Sequence, residues 1–460
     1  MATGSRRSAA DADARAAALA ALVAIDAGRA GSNTLLADLP ATMPARDRGL
    51  ATELVYGVLR RRSILDRAVA AAASRPLARI SPLLLNILRL AAYQLLYLER
   101  IPVHAIVDEA VGLARRRSGR PAAAFANGLL RGMTRRGRPR VEEVLGRAVA
   151  GDREAAREHL AIATSFPRPY VDRVLDRDGD AQGAALLEAL NAPAPVVLRA
   201  MRRSGGAGKV AARLRAEGIE TTPSPWLEEA LRVAGGAVPA TPTFRDGWVY
   251  VQDEAAQILA ALLLPAGAGD RVIDFCAAPG GKAILLADHP EPPGLLVAAD
   301  ASRARLRRLC ANAARLGIER LRPVVMDGAR PALRGRFERL LVDAPCSGTG
   351  VIRRHPEIRW RFDAAALGRS AARQRRLIAA AADLLAPGGR LVYSVCSLEP
   401  EEGPEIVDAL LAARPDLRLL DARTILPERL HPLVDVAGRL VTRPGRDDLD
   451  GFFAAVVTTC

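Results

Sequence analysis

Hydrophobic residues recur every three or four positions through most of the first 140 residues of the chain. One such stripe consists of Leu19, Leu22, Val23 and Ile25. A longer and largely apolar segment covers positions 83–98. This spacing places the apolar side chains on one face of an α-helix. Short polar breaks separate the segments, so the sequence predicts a compact all-α domain over residues 1–145.

The pattern changes after this helical region. Positions 151–180 remain helix-like and charged, which predicts a helical connector. From Pro195 to Val251, strand-like and helix-like segments alternate over short distances. We therefore predict that residues 146–250 comprise the connector followed by a small α/β module.

From residue 251 onward, longer strands and helices are predicted to alternate. The predicted strands begin near Arg271, Leu295, Leu321, Arg339, Arg390 and Phe452, and the predicted helices include 252–264, 282–287 and 375–385. Regular alternation of this kind is typical of a mostly parallel sheet with helices on both faces. Residues 251–460 are thus predicted to form a Rossmann-like α/β domain.

Positions 271–282 read RVIDFCAAPGGK and form the opening unit of that domain. An apolar strand leads into a turn of small residues and then into a helix, as in nucleotide-binding α/β folds. The turn is neither the phosphate-binding loop of ATPases nor a GxGxxG motif, which disfavours ATP and dinucleotides. Asp300 ends the next predicted strand, where an acidic side chain usually accepts hydrogen bonds from ribose hydroxyls. The pattern favours a ribosylated ligand.

Positive charge is concentrated in the first third of the chain. Residues 1–150 contain 24 Arg, no Lys and 12 acidic residues, whereas the whole chain of 460 residues has a net charge of +15. Nine arginines and no acidic residue lie from Arg115 to Arg140. A solvated basic face is the simpler interpretation, but a run of one sign favours a polyanion, most simply nucleic acid. The small module is a second candidate surface for RNA.

Cysteine usage and hydropathy exclude several classes of protein. The five cysteines are too few for a disulfide framework, and no CxxC pair suggests zinc or another metal. No apolar run reaches the roughly 18 residues that a membrane helix needs. No cleavage pattern follows the first apolar segment. We therefore expect a cytoplasmic protein that does not bind membranes.

The noteworthy polar residues fall at the carboxyl ends of predicted strands. They are Asp274 with Cys276, Asp300, Asp327, Asp343 with Cys346, and Cys396. In an open parallel sheet these ends line one crevice, which is where ligands bind. For Asp327 a local alternative exists, because an Asp before Gly328 also favours an Asx turn.

Two thiols at neighbouring strand ends suggest a specific reaction. Carbon 5 of cytosine is a poor nucleophile, but a thiolate that adds at carbon 6 makes carbon 5 able to attack a sulfonium methyl group. A base must then remove the carbon-5 proton so that the thiol can leave. An acid near the ring, which we assign to Asp343, would stabilise the charge that develops during addition.

Three motifs carry a family resemblance. CAAPGGK (276–282), DAPCSGTG (343–350) and VCS (395–397) resemble the RNA 5-methylcytosine methyltransferases that use S-adenosylmethionine. Segments 46–62, 101–111 and 125–133 resemble the helical antitermination factor NusB, which implies RNA binding. Together they are similar to the RsmB branch of the family, also called Sun or Fmu, which acts on 16S rRNA. The resemblance covers nearly the whole chain and implies a class I methyltransferase domain with a seven-stranded sheet.

The resemblance also implies roles for individual residues. Cys396 would be the nucleophile, Cys346 would assist proton removal and release, and Asp343 would contact the cytosine ring and the cofactor. The implied cofactor-binding residues are Cys276, Ala277, Ala278, Pro279, Gly280, Gly281, Lys282, Asp300, Asp327 and Asp343. We expect the protein to act as a monomer on 16S rRNA.

Two alternatives remain open at this point. The same enzyme could act on tRNA. Otherwise the chain could be a NusB-like RNA-binding or assembly factor whose methyltransferase domain is inactive. The intact thiols, aspartates and PGGK turn argue against the second alternative.

Overall fold

The computed structural model describes residues 7–40, 42–146 and 151–460. These residues form two compact units. Unit 1 comprises the described chain up to Asn191 together with Arg354–Arg361, and unit 2 comprises Ala192–Arg353 and Phe362–Cys460. Within the described ranges, no helix is both long enough and apolar enough to cross a membrane. The predicted domain limits, 1–145, 146–250 and 251–460, stay predictions.

Unit 1 is helical, as the hydrophobic spacing of its sequence predicts. Its α-helices are α1 (Arg7–Asp26), α2 (Ser32–Ala37), α3 (Ala45–Ala72), α4 (Pro82–Tyr97), α5 (Val103–Thr134), α6 (Val141–Leu145), α7 (Arg153–Thr164), α8 (Arg168–Asp178) and α9 (Asp180–Asn191). Helix α4 begins where Ser81 Oγ accepts a hydrogen bond from Leu84 N and Pro82 occupies the first turn. Leu54 of α3 and Ile87 of α4 are fully buried in the core that α1, α3, α4 and α5 share.

The segment Arg354–Arg361 belongs to unit 1 although it lies far along the sequence. Arg359 is fully buried, and one of its Nη atoms donates to the side-chain oxygen of Asn191 at 2.9 Å. Trp360 Nε1 donates to the backbone carbonyl of Leu59 at 2.9 Å. Hydrogen bonds between residues distant in sequence therefore place this segment in the helical unit.

Unit 2 contains two sheets and the helices that cover them. Its strands are β1 (Val196–Ala200), β2 (Thr221–Pro223), β3 (Ala230–Val233), β4 (Val249–Val251), β5 (Arg271–Asp274), β6 (Leu295–Asp300), β7 (Leu321–Val325), β8 (Phe337–Asp343), β9 (Leu385–Val395), β10 (Leu417–Leu420), β11 (Leu440–Thr442) and β12 (Phe452–Thr459). Its α-helices are α10 (Ala207–Ala216), α11 (Pro242–Arg245), α12 (Glu254–Ala261), α13 (Gly281–Asp288), α14 (Arg303–Leu316), α15 (Ala364–Ala382) and α16 (Pro404–Ala413).

The first four strands form a small antiparallel sheet in the order β2-β3-β1-β4. Val210 and Leu214 of α10 are buried with Leu198 of β1 and Leu231 of β3 in one cluster. Because the helix covers one face of the sheet, this part of the chain is a small α/β module. The prediction of such a module is confirmed.

The larger sheet follows the order β10-β12-β9-β8-β5-β6-β7, and β11 pairs with β12 beside this path. The strand pairs from β9 through β7 are parallel, and β12 runs antiparallel to its neighbours β9, β10 and β11. The predicted Rossmann-like fold with a mostly parallel sheet is confirmed, and β11 adds an eighth strand to the seven on the main path. Strands β10 and β11 are absent from the sequence interpretation, because each is only three or four residues long.

Both faces of this sheet are covered by helices. On β5, Val272 belongs to the same core cluster as Ile284 of α13. The next residue, Ile273, belongs to the opposite cluster with Leu377 of α15. Successive side chains of a strand point to opposite faces, so an uninterrupted apolar strand such as β5 requires a helical layer on each side.

Both predicted limits of the helix at 375–385 are wrong, because α15 already begins at Ala364. The sequence pattern extends the helix at 375–385 to Leu385, but α15 ends at Ala382 and Leu385 is the first residue of β9. Leu385 pairs with Phe337 of β8, and both side chains are buried. Pairing with a distant strand outweighs the helix propensity of Leu at this position.

Candidate active site

The turn between β5 and α13 is held by hydrogen bonds to neighbouring elements. Ala277 N donates to Ala299 O of β6 at 2.9 Å. Asn312 Nδ2 of α14 donates to Pro279 O at 3.2 Å. The N–H groups of the first turn of α13 and the positive end of its dipole therefore lie beside a rigid loop, an arrangement suited to a polar or anionic ligand group.

Gly280 is required by the shape of this turn. Its φ of +115° lies in a region that other residues rarely adopt. A Cβ atom at this position would also lie 3.0 Å from Ile284 Cδ1 and 3.0 Å from Leu309 Cγ. The backbone conformation and the packing against α13 and α14 therefore require a glycine at this position.

Asp300 ends β6 in a fully buried position. Its Oδ1 accepts hydrogen bonds from Ser302 N and from a terminal nitrogen of Arg305, both at 2.7 Å. Its Oδ2 is buried and has no hydrogen-bond partner among the described residues. A buried carboxylate oxygen is costly without a partner, so this atom is suited to accept a hydrogen bond from a ligand hydroxyl.

Lys282 and Asp343 form an ion pair at the crevice. Lys282 Nζ lies 2.6 Å from Asp343 Oδ2, and Ser394 Oγ donates to Asp343 Oδ1 at 2.9 Å. Burial works against the charge of Lys282, but its attraction to Asp343 and then to Asp274 outweighs burial, so its pKa is raised. Lys282 therefore stays an ammonium group.

The structure brings the two predicted thiols together. Cys346 follows β8 and Cys396 follows β9, and their Sγ atoms lie 3.3 Å apart. The pKa of Cys346 is raised well above its ordinary value by its hydrogen bond with Cys396, then by burial and by the negative charges of Cys396 and Glu402. Cys346 therefore resists ionisation while the Cys396 thiol lies against it.

A close backbone approach fixes the turn after Cys346. Gly350 N donates to Cys396 O at 3.1 Å, and Gly451 N donates to Gly350 O at 2.9 Å. A Cβ atom on Gly350 would lie 1.9 Å from Gly451 O. No side chain fits there, which explains a glycine at this place in the second motif.

Burial is the main influence on the protonation of Asp274 and Cys276. Burial raises the pKa of Asp274 to about 7, against the opposing effect of Lys282. Burial, and then the negative charges of Asp274 and Asp343, raises the pKa of Cys276 to about 12. Cys276 therefore remains a neutral thiol at physiological pH and has no nucleophilic character.

Asp327 is exposed two residues beyond β7. Its Oδ1 accepts a hydrogen bond from Ala329 N at 3.1 Å, which is the Asx turn considered as the local alternative. Its role towards a cofactor stays a prediction. No group of three or more His, Cys, Asp or Glu side chains in the described part of the chain could hold a metal ion.

Sequence reasoning missed three residues near these positions. Glu402 and Gln374 are fully buried and hydrogen-bond around Cys346. Gln252 is buried, both polar atoms of its amide lack a partner among the described residues, and Nε2 is 3.1 Å from the point where a Cβ on Gly281 would lie. The Gln-Asp-Glu sequence just after β4, and an acidic cluster soon after Cys396, were the available signals.

The basic surface of unit 1 agrees with the charge pattern, with one exception. Of the nine arginines between Arg115 and Arg140, all but Arg138 are exposed. Arg138 donates to the carbonyls of Gln94, Leu95 and Leu98 at the end of α4. It satisfies helix-terminal carbonyls, so the other eight arginines form the solvent-accessible basic surface.

Three family models match the chain. The 16S rRNA methyltransferase RsmB/F model matches residues 261–458, which contain the turn, Asp300 and both thiols. The NusB family matches residues 12–135. A Methyltr_RsmF/B-like, ferredoxin-like domain matches residues 166–239, which include the first strands of the small sheet.

Individual relatives cover nearly the whole chain. The probable ribosomal RNA small subunit methyltransferase B of Bacillus subtilis (strain 168) is 33% identical over 442 residues, which is 95% of this chain and 96% of the relative. A solved structure described as PH0851 matches 91% of this chain and 92% of its own with a TM-score of 0.76 and 24% identity. NSun6 from Pyrococcus horikoshii, solved with SFG, matches 64% of this chain and 98% of its own, with a TM-score of 0.58 and 21% identity. The two structures share its fold. The chain therefore belongs to the RsmB/F family of 16S rRNA methyltransferases.

Proposed function

We propose that this protein methylates carbon 5 of a cytosine in 16S rRNA, with S-adenosylmethionine as methyl donor and a covalent bond between Cys396 and the base. The observation that carries the proposal is the 3.3 Å separation of the Cys346 and Cys396 sulfur atoms beside the Lys282–Asp343 pair. One thiol suffices for addition to a base. A second thiol in contact with it matches a reaction that must also remove a proton.

The residues around the β5–α13 turn fit the cofactor. Asp300 Oδ2 offers a buried acceptor for a ribose hydroxyl, and Gly280 and Gly281 let the backbone approach the ligand. Gln252 adds an amide donor and an acceptor beside the same turn. S-adenosylmethionine supplies a methyl group on a positively charged sulfur. Cys276, Ala277, Ala278, Pro279 and Lys282 complete the proposed binding turn, and Asp327 and Asp343 are proposed cofactor contacts.

Cys396 carries out the first step. Its thiolate adds to carbon 6 of the cytosine, which must first be turned out of any stack. The electrons of the C5–C6 double bond then make carbon 5 nucleophilic, so that it can accept the methyl group. Asp343, held by Lys282 and Ser394, is assigned to contact the ring, and the Lys282 ammonium paired with it offsets the negative charge that develops during addition.

Cys346 carries out the last step. Once Cys396 is a thioether, it no longer bears a negative charge, so one cause of the raised pKa of Cys346 is gone. Cys346 then gives its own proton to solvent water and, as a thiolate, takes the proton from carbon 5. The C–H electrons restore the C5–C6 double bond, the bond from carbon 6 to Cys396 breaks, and its electron pair returns to that sulfur.

The proposed substrate is RNA free in solution, bound by the exposed arginines of unit 1. Binding through such a surface is salt-dependent. We propose that the enzyme acts as a monomer.

The direct test is methyl transfer from labelled S-adenosylmethionine to deproteinised small-subunit rRNA, with bulk tRNA alongside, followed by nucleoside analysis. We expect label in 5-methylcytosine from the rRNA and none from the tRNA. Label in 5-methylcytosine from tRNA would support the proposed reaction but identify tRNA as the substrate. Binding of the cofactor without label in either RNA would leave an RNA-binding factor as the better interpretation.

The covalent step has its own test. We expect Cys396→Ala to abolish both methylation and the covalent adduct, because no nucleophile remains. Cys346→Ala should instead leave protein attached to RNA on a denaturing gel, because addition proceeds while release does not. An absence of adduct in Cys346→Ala would contradict the division of roles between the thiols.

A further inference from the structure

Glu402 is a buried carboxylate that the proposed reaction does not use. It is fully buried on the segment between Cys396 and α16. Its Oε1 accepts a hydrogen bond from Ser347 N at 2.9 Å, and its Oε2 accepts one from Ser347 Oγ at 2.5 Å. Burial of a carboxylate costs free energy unless strong hydrogen bonds compensate. The hydrogen bonds to Ser347 therefore offset the cost of burying Glu402 beside the thiols.

Hydrogen bonds of the same network hold the backbone on both sides of Cys346. Gln374 of α15 donates from one amide nitrogen to Pro345 O at 3.0 Å and to Glu402 Oε1 at 3.2 Å. The residue before Cys346 and the residue after it are thus both bound to the Gln374–Glu402 pair. The turn that carries the thiol is fixed by side chains that come from elsewhere in the sequence.

Glu402 is itself held in place by the sheet. The hydroxyl of Tyr393, in β9, donates to the backbone carbonyl of Glu402 at 2.6 Å. The Ser347 hydroxyl also lies 3.1 Å from Ser397 Oγ, on the residue after Cys396. Ser347 therefore joins the two turns that carry the thiols. The carboxylate of Glu402 accepts hydrogen bonds from both the backbone N–H and the hydroxyl of Ser347.

We propose that Glu402 is a positioning residue for release of the methylated RNA, because it holds the Pro345–Ser347 turn so that the Cys346 thiol lies against Cys396. The proposal rests on the two-thiol reaction proposed above. Glu402 touches neither substrate nor cofactor in this role. It acts through Cys346, both by fixing the turn and by placing a negative charge near that sulfur.

The groups that act on Cys346 come from three places in the fold. Cys396 lies at the end of β9, Glu402 lies ahead of α16, and the backbone N–H of Gly348 lies in the turn itself. Cys396 and Glu402 raise the pKa of Cys346, and the Gly348 N–H lowers it. Removing the charge of Glu402 makes the Cys346 thiol easier to ionise. It also weakens the hydrogen bonds that hold this thiol against Cys396.

The test compares Glu402→Gln with Glu405→Gln, which makes the same chemical change at an exposed residue of α16. In single turnovers with labelled cofactor and rRNA, we expect Glu402→Gln to slow release about tenfold or more, because small misplacements of catalytic groups have effects of this size. Protein–RNA adduct should accumulate on denaturing gels, as in Cys346→Ala. Cofactor affinity should be unchanged, and Glu405→Gln should match the wild type.

A purely structural role would give a different result. Loss of stability lowers adduct formation and release together, so a fall in total activity without adduct accumulation would overturn the proposal. Ser347→Ala provides a milder change. We expect it to raise the ratio of adduct to released product as well, but by less than Glu402→Gln does. Should Glu402→Gln fail to fold, a wild-type ratio of adduct to product in Ser347→Ala would overturn the proposal.

A second readout needs no RNA. In a Cys396→Ala background, we expect Glu402→Gln to increase the rate at which iodoacetamide alkylates Cys346 several-fold at pH 8, measured by peptide mass spectrometry. An unchanged rate would contradict the effect of Glu402 on Cys346. This outcome is independent of the proposed RNA chemistry, so a failed methylation assay and a failed positioning role can be told apart.

Discussion

The crevice at the carboxyl edge of the large sheet has two halves that are built differently. The cofactor half, at β5 and β6, depends on local chain geometry: a positive φ at Gly280 and an Asp at the end of a strand. The thiol half, at β8 and β9, depends on contacts between distant residues. Cys346 and Cys396 are 50 residues apart in sequence and meet at 3.3 Å.

This difference has a consequence for mutations. A change in the cofactor half alters one turn and the ligand that sits on it. A change in the thiol half spreads through hydrogen bonds that link Glu402, Gln374, Ser347 and Ser397. Apart from the Lys282–Asp343 pair, which joins them, the two halves should therefore respond separately. Three variants in the cofactor half test that separation.

The largest effect is expected for Gly280→Ala. The new methyl group forces an unfavourable φ and meets Ile284 and Leu309, at a cost of about 1–3 kcal/mol. Calorimetric titration should show S-adenosylmethionine affinity reduced at least about tenfold, with a lower melting temperature. Gly269→Ala is the matched control, because nothing lies within 4 Å of a Cβ there. Equal losses in both variants would contradict the steric argument.

A smaller effect is expected for Asp300→Asn. Hydrogen bonds to a charged acceptor are worth about 1.5–3 kcal/mol and those to a neutral acceptor about 0.5–1.5 kcal/mol, so the dissociation constant of the cofactor should rise by up to about tenfold. At saturating cofactor, adduct formation through Cys396 should be close to wild type. Asp327→Asn changes an exposed carboxylate in an Asx turn and should have less effect. A larger loss for Asp327→Asn would reverse the ranking of the two aspartates.

The smallest effect is expected for Asp274→Asn and concerns stability. The folded-state pKa of Asp274, about 7, is above its unfolded value, so the folded protein binds the proton more tightly. Stability from this group is therefore greatest at low pH and falls as pH rises from about 4 to about 7. Asn cannot ionise, so thermal unfolding of the variant should depend less on pH across that window. An unchanged pH dependence would show that ionisation of Asp274 does not lower the stability of the folded protein.

Some of the site could be predicted because its requirements are local. The PGG turn and the strand-end aspartates follow from rules that involve a few neighbouring residues. The structure places Gly280 just before α13, and Asp300 and Asp343 at the ends of β6 and β8, as expected. Glu402 and Gln374 could not be predicted in this way. Their partners, Ser347 and Pro345, lie 55 and 29 residues away, and no spacing rule connects them.

The same contrast holds for the fold. The periodicity of the apolar residues determined the helical character of unit 1 and the alternation of strands and helices in unit 2, because each element must bury one face or stripe. Local preference failed where a distant strand provided the partner, as at Leu385 and in the short strand β11.

The sequence by itself determined the fold class, the family resemblance and the residue types that the reaction needs. Tertiary structure alone decided that Arg359 and Trp360 belong to the helical unit, that Arg138 serves α4, and that Cys346 lies against Cys396. The physical reason is the range of the interactions. Steric limits on φ and the periodicity of burial act within a few residues, whereas buried hydrogen bonds and thiol contacts form only after distant segments have packed together.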